Sequence, residues 1–240
     1  MIRFSEVTKA FGAKKVLEAF TLDIPDGQTT VVLGYSGSGK SVALKHIVGL
    51  LEPDSGEVVV DGRVVHDLSR DALAVLRTSI GYVFQFAALF DSLTVFQNIA
   101  LGLEHQGHPA DVVRERVAAS LERVELAGSA ERYPSELSGG MRKRVGIARA
   151  IALEPRYILY DEPTTGLDPV TSAVIDELMV RTKRELGVTG VVVTHDMRSA
   201  FAVADRIAML YQGKLHMVGP AEEVRRTDDP IVRQFIEGRP

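Results

Sequence analysis

A glycine-rich segment at residues 34–41, Gly-Tyr-Ser-Gly-Ser-Gly-Lys-Ser, has the spacing of a phosphate-binding loop. An apolar run that ends at Leu33 precedes it, and a helical pattern begins near Lys40. Glycines let backbone N–H groups and the helix N-terminus face phosphate oxygens, the lysine adds a cation, and the last serine can ligate Mg²⁺. The segment therefore predicts a nucleotide site built from Gly34, Ser36, Gly37, Ser38, Gly39, Lys40 and Ser41.

Two adjacent carboxylates, Asp161 and Glu162, follow the apolar run at residues 158–160. Ligands bind at the carboxyl ends of strands in open α/β sheets, so both side chains would reach a bound nucleotide. Asp161 would hold Mg²⁺ through its water shell, because that ion dehydrates reluctantly. Glu162 would orient or deprotonate the attacking water.

Two further strand ends carry polar side chains that suit the same chemistry. His195 follows the apolar run at 191–194, and one of its ring nitrogens could reach the γ-phosphate. Gln85 follows the run at 80–84, and its amide could reach the metal or the water. We therefore expect Glu162, His195 and Gln85 to be catalytic, and Ser41, Gln85 and Asp161 to hold the metal.

A second glycine-rich segment, Leu-Ser-Gly-Gly-Met at residues 137–141, precedes a helical pattern at 142–153. Exposed N–H groups at such a helix start can bind an anion, so Ser138, Gly139 and Gly140 form a second expected phosphate site. In a two-fold dimer, each such segment could face the phosphate loop of the other chain.

The elements that would position these residues alternate between strands and helices. Short β-branched runs at 29–33, 80–84, 157–160, 191–194 and 206–211 are mostly apolar on both faces, as buried parallel strands are. Helical stripes lie between them, one formed by Ala43, Leu44, Ile47, Val48 and Leu51 and another by Val170, Val174 and Leu178. This alternation predicts an α/β fold with a mostly parallel sheet.

Two regions depart from the alternation. Residues 86–155 contain amphipathic helical patterns at 111–126 and 142–153 with no strand between them, which predicts a helical insert. The runs at 2–7, 21–24 and 57–60 are linked by turn signals and predict a small N-terminal antiparallel β layer.

Composition limits the function classes. The 240 residues are 45% apolar and 25% charged, as in one compact globular unit. A net charge of -4 gives no positive field for nucleic acid or anionic lipid, and the lack of cysteine excludes thiolate metal sites. No apolar run approaches the roughly 18 residues that span a bilayer, and no signal peptide is evident. We expect a cytoplasmic chain that needs a protein partner for any membrane role.

Over essentially its whole length, the chain resembles a nucleotide-binding domain of the ATP-binding-cassette (ABC) family. The resemblance rests on an ordered set of motifs: GxxxxGKS at 34–41, Gln85, LSGGM at 137–141, Asp161-Glu162 and His195. It implies one ABC ATPase domain over residues 1–240. This domain would have a P-loop NTPase (RecA-like) core, a small antiparallel β layer and an α-helical subdomain inserted at about 86–155.

The resemblance also implies how the site is completed. ATP and Mg²⁺ would be the cofactors, and a head-to-tail homodimer would enclose two ATP molecules. Phe11 would stack on adenine, Ser138 and Gly140 would touch the γ-phosphate of the other chain's ATP, and Asp168 would contact the dimer interface. Closure of the dimer would drive the partner.

Finer features are similar to the ATPases of bacterial Mla/Mce-type lipid transporters. They are the aromatic-rich segment at residues 84–95 and Met141, where most relatives have glutamine. This resemblance implies lipid or phospholipid transport across or between envelope membranes. The partners would be membrane permease subunits, with an MCE-domain lipid-binding protein and a STAS-domain protein, and the chain would lie on the inner face of the cell membrane.

Several alternatives remain open at this level. Phe11 could be a core aromatic, and Asp168 before Pro169 could act as a helix N-cap. The apolar residues after Gln85 could be core or could dock a partner helix: Leu89, Phe90, Leu93 and Phe96. The basic run at 142–144 suits a solvated helix face better than nucleic acid. The ATPase could instead serve a small-solute importer of the amino-acid type, or signal through a membrane partner.

Overall fold

The computed structural model describes residues 1–238. Its strands, in chain order, are β1 (Ile2–Phe11), β2 (Lys14–Ile24), β3 (Thr29–Leu33), β4 (Ser55–Val60), β5 (Arg63–Val64), β6 (Ile80–Val83), β7 (Tyr157–Asp161), β8 (Thr189–Thr194), β9 (Arg206–Tyr211) and β10 (Lys214–Pro220). Its α-helices are α1 (Lys40–Ile47), α2 (Arg70–Thr78), α3 (Val95–His105), α4 (Ala110–Arg123), α5 (Gly139–Ile151), α6 (Pro169–Leu186), α7 (Met197–Val203), α8 (Ala221–Arg226) and α9 (Pro230–Glu237). The described residues form two compact units. The first unit consists of Met1–Arg77 and the described residues from Thr189 onward, and the second unit is Thr78–Val188.

An antiparallel sheet in the first unit has the strand order β2-β1-β4-β5. Along β1, the alternating side chains Ile2 and Phe4 are buried, and Phe4 meets Phe20 of β2 edge-on at 5.2 Å. One face of this layer is therefore apolar, as an antiparallel sheet requires when it covers a core. The predicted N-terminal β layer is confirmed.

The parallel strands of the first unit place β3 between β8 and β9, and β10 runs antiparallel to β9. Every residue of β3 and β8 is buried, which explains why their sequences are apolar or β-branched throughout. Leu33 is in register with Thr194, so β3 and β8 end at the same level. The residues that follow these two strands therefore begin side by side.

The second unit pairs β6 and β7 in parallel, with Val83 in register with Tyr160. Helices α3, α4 and α5 pack on one another, and α5 also packs on β6. The approach is close, because a Cβ atom on Gly81 of β6 would lie 3.0 Å from the Ala150 Cβ of α5. These helices lie within residues 86–155; the assignment of that segment as an insert in a single domain stays a prediction.

Some sequence-based boundaries were wrong. Helix α5 begins at Gly139 and not at 142, because the Ser138 hydroxyl accepts a hydrogen bond from Met141 N and caps the helix earlier. Strand β6 ends at Val83, so Gln85 does not follow it directly.

Two apolar stripes also differ from expectation. Helix α1 ends at Ile47, before Leu51. On α6, Val170 and Val174 are exposed, and the buried face is instead formed by Ile175, Leu178 and Met179. Among residues 1–238, no helix is long and apolar enough to cross a membrane.

Candidate functional site

The phosphate-loop residues connect β3 to α1, as their sequence predicts. Gly39 precedes the helix with φ 106°, a left-handed conformation, and a Cβ atom there would lie 2.7 Å from the Val16 carbonyl oxygen. Glycine is therefore required at this turn. The buried Lys40 side chain points back over the loop and donates to the carbonyl oxygens of Gly34, at 2.8 Å, and Tyr35, at 3.1 Å.

The remaining loop residues leave polar groups at its surface. Ser36 and Gly37 are exposed, and Ser38 and Ser41 are half-buried. The Ser38 hydroxyl oxygen is buried and accepts or donates no hydrogen bond among residues 1–238. A loop that ends on a helix N-terminus, with a lysine and an unsatisfied hydroxyl beside it, fits an anionic phosphate chain.

His195 lies beside this loop within the same unit. It follows Thr194, the last residue of β8, and is therefore level with Gly34, which follows Leu33 of β3. The ring is exposed. Asp196 caps α7 by accepting from Arg198 N and Ser199 N, which fixes the backbone on one side of His195. The expected approach of His195 to a phosphate on this loop thus has a geometric basis.

Phe11 ends β1, and its side chain is 49% exposed. The alternative that Phe11 is a core aromatic is therefore wrong. The Lys9 ammonium lies 5.9 Å from the centre of its ring. An exposed aromatic face of this kind can take part in stacking, but contact with adenine stays a prediction.

The carboxylates end β7 in the second unit, and both side chains are buried, with 8% of each residue exposed. The Tyr82 hydroxyl donates to Asp161 Oδ2 at 3.1 Å. Burial, together with the Asp161 charge, raises the pKa of Tyr82, so this hydroxyl stays protonated as a donor. Glu162 has φ 49°, and its Oε2 accepts a hydrogen bond from the Thr165 hydroxyl at 3.1 Å.

Gln85 lies beyond the end of β6 and is joined to Glu162 through one lysine. The Lys143 ammonium donates to the main-chain oxygen of Gln85 and, at 3.2 Å, to that of Glu162. Burial lowers the pKa of Lys143 to about 8, while Glu162 and Asp161 oppose this shift. A cleft of about 320 Å³ is lined by residues around Gln85, by the start of α5 and by residues 165–167.

The second glycine-rich segment forms the first turn of α5. Ser138 is the N-cap, and Ser138 and Gly139 are exposed. Gly140 is buried, and a Cβ atom there would lie 2.5 Å from Thr171 Cγ2 on α6. A helix start of this kind can bind an anion, but phosphate binding by Ser138, Gly139 and Gly140 stays a prediction.

Asp168 begins α6 as its N-cap. One carboxylate oxygen accepts from the backbone N–H groups of Val170 and Thr171, and the other accepts from the Thr171 hydroxyl. These bonds hold the pKa of this exposed carboxyl below its usual range. The alternative that Asp168 acts as an N-cap is confirmed; a contact with a second chain stays a prediction.

The structure groups the expected residues separately in each unit. In the first, Lys40 and the phosphate loop lie beside His195; in the second, Gln85, Glu162 and the start of α5 lie around Lys143. The oxygen donors of Ser41, Asp161 and Gln85 fit Mg²⁺, which prefers few carboxylates and keeps much of its water. No cluster of three His, Asp or Glu side chains suited to a metal occurs in residues 1–238, and the metal-binding role of these three residues stays a prediction.

Sequence reasoning missed two residues that hold the site. In the sequence, Tyr82 belongs to a predicted strand with no assigned role, and Lys143 belongs to a basic run that predicts a solvated helix face. Tyr82 is in register with Leu159, two residues before Asp161, so Tyr82 and Asp161 lie on the same face of the paired strands; the sequence gives the alternation but not this register. Lys143 stands between Arg142 and Arg144, and its sequence position does not distinguish it from these cations.

The chain is similar to ATP-binding proteins of transport systems. The family model described as ABC transporter matches residues 17–165. Mkl, a probable ribonucleotide transport ATP-binding protein of Mycobacterium leprae, is 42% identical over 99% of this chain and 69% of its own length. The phospholipid transport ATP-binding protein MlaF of Escherichia coli is 39% identical over 99% of this chain and 89% of its own length.

Solved structures agree with this assignment. The ATP-binding cassette MJ0796, described as a dimer bound to ADP and Pi after hydrolysis, has a TM-score of 0.84 and 36% identity over 92% of this chain and 99% of that chain. CbiO1 from Clostridium perfringens has a TM-score of 0.87 and 31% identity over 97% of this chain and 93% of its own. The protein therefore belongs to the ABC transporter family, as an ATP-binding, ATP-hydrolysing subunit with a P-loop NTPase fold.

Proposed function

We propose that this ATPase drives the transport of phospholipids across or between envelope membranes. The observation that carries the proposal is the match to MlaF, which spans 99% of this chain and 89% of that protein. The matches to Mkl and to the sulfate/thiosulfate import protein CysA of Synechocystis cover smaller shares of those proteins, 69% and 65% of their lengths. Met141 and the aromatic segment after Gln85 support the same assignment.

Each unit contributes residues whose chemistry suits a step of ATP hydrolysis. Lys40 neutralises charge on the β and γ oxygens of ATP, and the N-terminus of α1 adds its N–H groups. Glu162 accepts a proton from water as the water oxygen attacks the γ-phosphorus, and the bond from that phosphorus to the departing ADP oxygen breaks. His195 contacts the γ-phosphate, and Gln85 orients the water.

Mg²⁺ spreads the charge of the phosphate chain when it is bound. The residues that would hold it are Ser41, through its hydroxyl, Asp161, and Gln85, through its amide oxygen. The Tyr82 hydroxyl orients Asp161 for this task by donating to one of its carboxylate oxygens.

Dimer formation completes each nucleotide site. Ser138, Gly139 and Gly140 would contact the γ-phosphate held by the other chain, which the exposed first turn of α5 allows. Phe11 would stack on adenine, and Asp168 would contact the partner close to this helix start. The dimeric MJ0796 structures support this arrangement.

The membrane partner would dock beside Gln85. Phe86 is 81% exposed and Phe90 is 57% exposed, which is unusual for aromatic side chains outside an interface. A permease bound there would contact the segment next to Gln85, so a movement of Gln85 would be transmitted to the permease. The permease would also hold the ATPase on the inner face of the cell membrane. MCE-domain and STAS-domain proteins are the further partners proposed.

A second candidate is import of a small polar solute, which the 41% identity with CysA over 98% of this chain supports. The two candidates are separated by purifying the complex through a tag on this chain and reconstituting it in liposomes. ATP-dependent transfer of a fluorescent phospholipid, lost with Glu162→Gln, is the expected result. Uptake of sulfate without lipid transfer would contradict the proposal.

A further inference from the structure

Lys143 is a buried cation whose hydrogen bonds all reach towards the catalytic segments. It lies on the second turn of α5, with 5% of the residue exposed. Its ammonium donates to the main-chain oxygens of Gln85 and Glu162. One side chain on the helix that begins with the expected phosphate-binding turn therefore touches both segments that carry the expected catalytic residues.

The contact with Glu162 reinforces an unfavourable backbone conformation. Glu162 has φ 49°, in the left-handed region that residues with a side chain rarely adopt. Its carbonyl oxygen accepts from Lys143 and, at 3.3 Å, from Thr165 N, while its carboxylate accepts from the Thr165 hydroxyl. Lys143 and Thr165 thus both contribute to holding Glu162 in this conformation.

The contact with Gln85 is one of several hydrogen bonds from side chains of α5 to the segment of residues 85–88. Arg149 donates to the carbonyl oxygens of Ala87, at 2.6 Å, and Ala88, at 2.7 Å, and both alanines have positive φ. Between the two cations, Gly146 faces Ala87, and a Cβ atom on Gly146 would meet the Ala87 Cβ at a contact distance of 3.4 Å. Lys143 and Arg149 therefore hold residues 85–88 against one face of α5.

The neighbouring cations of the helix serve other segments. Arg142 donates to Leu137 O at 2.9 Å, and Arg144 donates to Val124 O at 3.2 Å and so caps the end of α4. Within residues 1–238, the cation that bridges Gln85 and Glu162 is Lys143. Its flexible stem and three donors suit two carbonyl oxygens that come from different segments.

We propose that Lys143 is a positioning residue for ATP hydrolysis, which links the phosphate-binding start of α5 to Gln85 and Glu162. This rests on the proposed role of Glu162 as the proton acceptor. When the start of α5 engages ATP on a second chain, the lysine transmits the position of the helix to the segments that hold the attacking water. Hydrolysis would then depend on engagement of both chains.

The test compares Lys143→Met, which removes the donors, with Lys143→Arg, which keeps a cation. Arg144→Met is the matched control, because it removes a neighbouring cation that caps α4. The measurements are kcat and KM with Mg·ATP, calorimetric affinity for a non-hydrolysable ATP analogue, and hydrogen exchange of peptides that cover residues 84–90 and 161–166.

Lys143→Met should lower kcat by about 10–100-fold, as loss of an outer-shell partner does. KM and analogue affinity should stay within about twofold of the parent, because phosphate contacts through Lys40 remain. The rate of backbone hydrogen exchange should rise in both peptides. Lys143→Arg should recover most of kcat, and Arg144→Met should retain it.

Parent-level kcat in Lys143→Met, or an equal loss in Lys143→Arg, would overturn the proposal. If Lys143→Met does not fold, Lys143→Gln takes its place, and parent-level kcat there overturns the proposal equally. The role of Glu162 is tested separately. If Glu162→Gln still hydrolyses ATP, Glu162 is not the proton acceptor. If Glu162→Gln is inactive and Lys143→Met is fully active, only the proposal for Lys143 is wrong.

Discussion

The ring of Tyr35, in the phosphate loop, meets the ring of Phe235, in α9, edge-on at a centroid distance of 4.8 Å. Asp229 fixes the start of that helix by accepting from Ile231 N and Val232 N, and it also pairs with His216 Nε2 at 2.9 Å. The helix near the carboxyl end of the described chain therefore packs on the loop that carries the phosphate site.

A double-mutant cycle tests this contact. An edge-on aromatic pair contributes about 0.5–1.5 kcal/mol beyond its area, so Tyr35→Leu and Phe235→Leu should show a coupling of that size in urea unfolding. Phe4→Leu serves as the control, because its ring partner is Phe20, and it should be additive with Tyr35→Leu. Additive effects for the first pair would contradict the contact.

The strands and the phosphate loop could be predicted because their signals are local. Residues 29–33 and 206–211 are mostly apolar or β-branched on both faces, and the glycine pattern of 34–41 needs the strand before it and the helix after it. Each of these features is set by its own residues, so the observed β3 and β9 agree with the predicted bounds.

The contacts that hold the site residues in position could not be predicted in this way. The bonds of Lys143 join residues far apart in sequence, and the Tyr35–Phe235 contact depends on where α9 packs. Val170 and Val174 followed a helical spacing, yet they are exposed, because spacing identifies a face and does not say whether anything covers it.

Gly140→Ala should destabilise the start of α5. The new Cβ would lie 2.5 Å from Thr171 Cγ2, and overpacking of this kind costs about 1–3 kcal/mol. Gly139→Ala is the matched control, since its Cβ would meet Leu167 at an ordinary 3.5 Å. The midpoint of urea unfolding measures the stability of each variant.

Thr171→Ser should relieve part of this cost when it is combined with Gly140→Ala. Serine lacks the clashing methyl but keeps the hydroxyl that donates to Asp168. A double variant no more stable than Gly140→Ala would show that the methyl group is not the cause.

Lys40→Ala should weaken nucleotide binding. A charge-assisted hydrogen bond contributes about 1.5–3 kcal/mol, which corresponds to about 10–100-fold in affinity. Lys45→Ala, an exposed lysine on the same helix, should leave affinity unchanged. Calorimetry with Mg·ATP measures both, and equal affinities for the two variants would remove Lys40 from the site.

Phe90→Asp should weaken co-purification with the permease and leave the basal ATPase activity of the isolated subunit intact, because a buried charge at an apolar contact is costly. The fold should survive, since Phe90 is held by backbone bonds to Asn98. Val75→Asp, at a residue 61% exposed in the other unit, is the control. Normal co-purification of a folded Phe90→Asp would place the docking surface elsewhere, and an unfolded variant would show that Phe90 supports the core.

We propose that this chain hydrolyses ATP as a dimer in which Glu162 accepts the proton, and sedimentation of Glu162→Gln with Mg·ATP tests the dimer and the role of Glu162 together. The substitution removes the proton acceptor but keeps the phosphate contacts of Lys40, so the variant should bind ATP, fail to hydrolyse it and sediment as a dimer. Without nucleotide, it should sediment as the parent does. A variant that stays monomeric with Mg·ATP and hydrolyses it at the parent rate would show that neither Glu162 nor dimer formation acts as proposed.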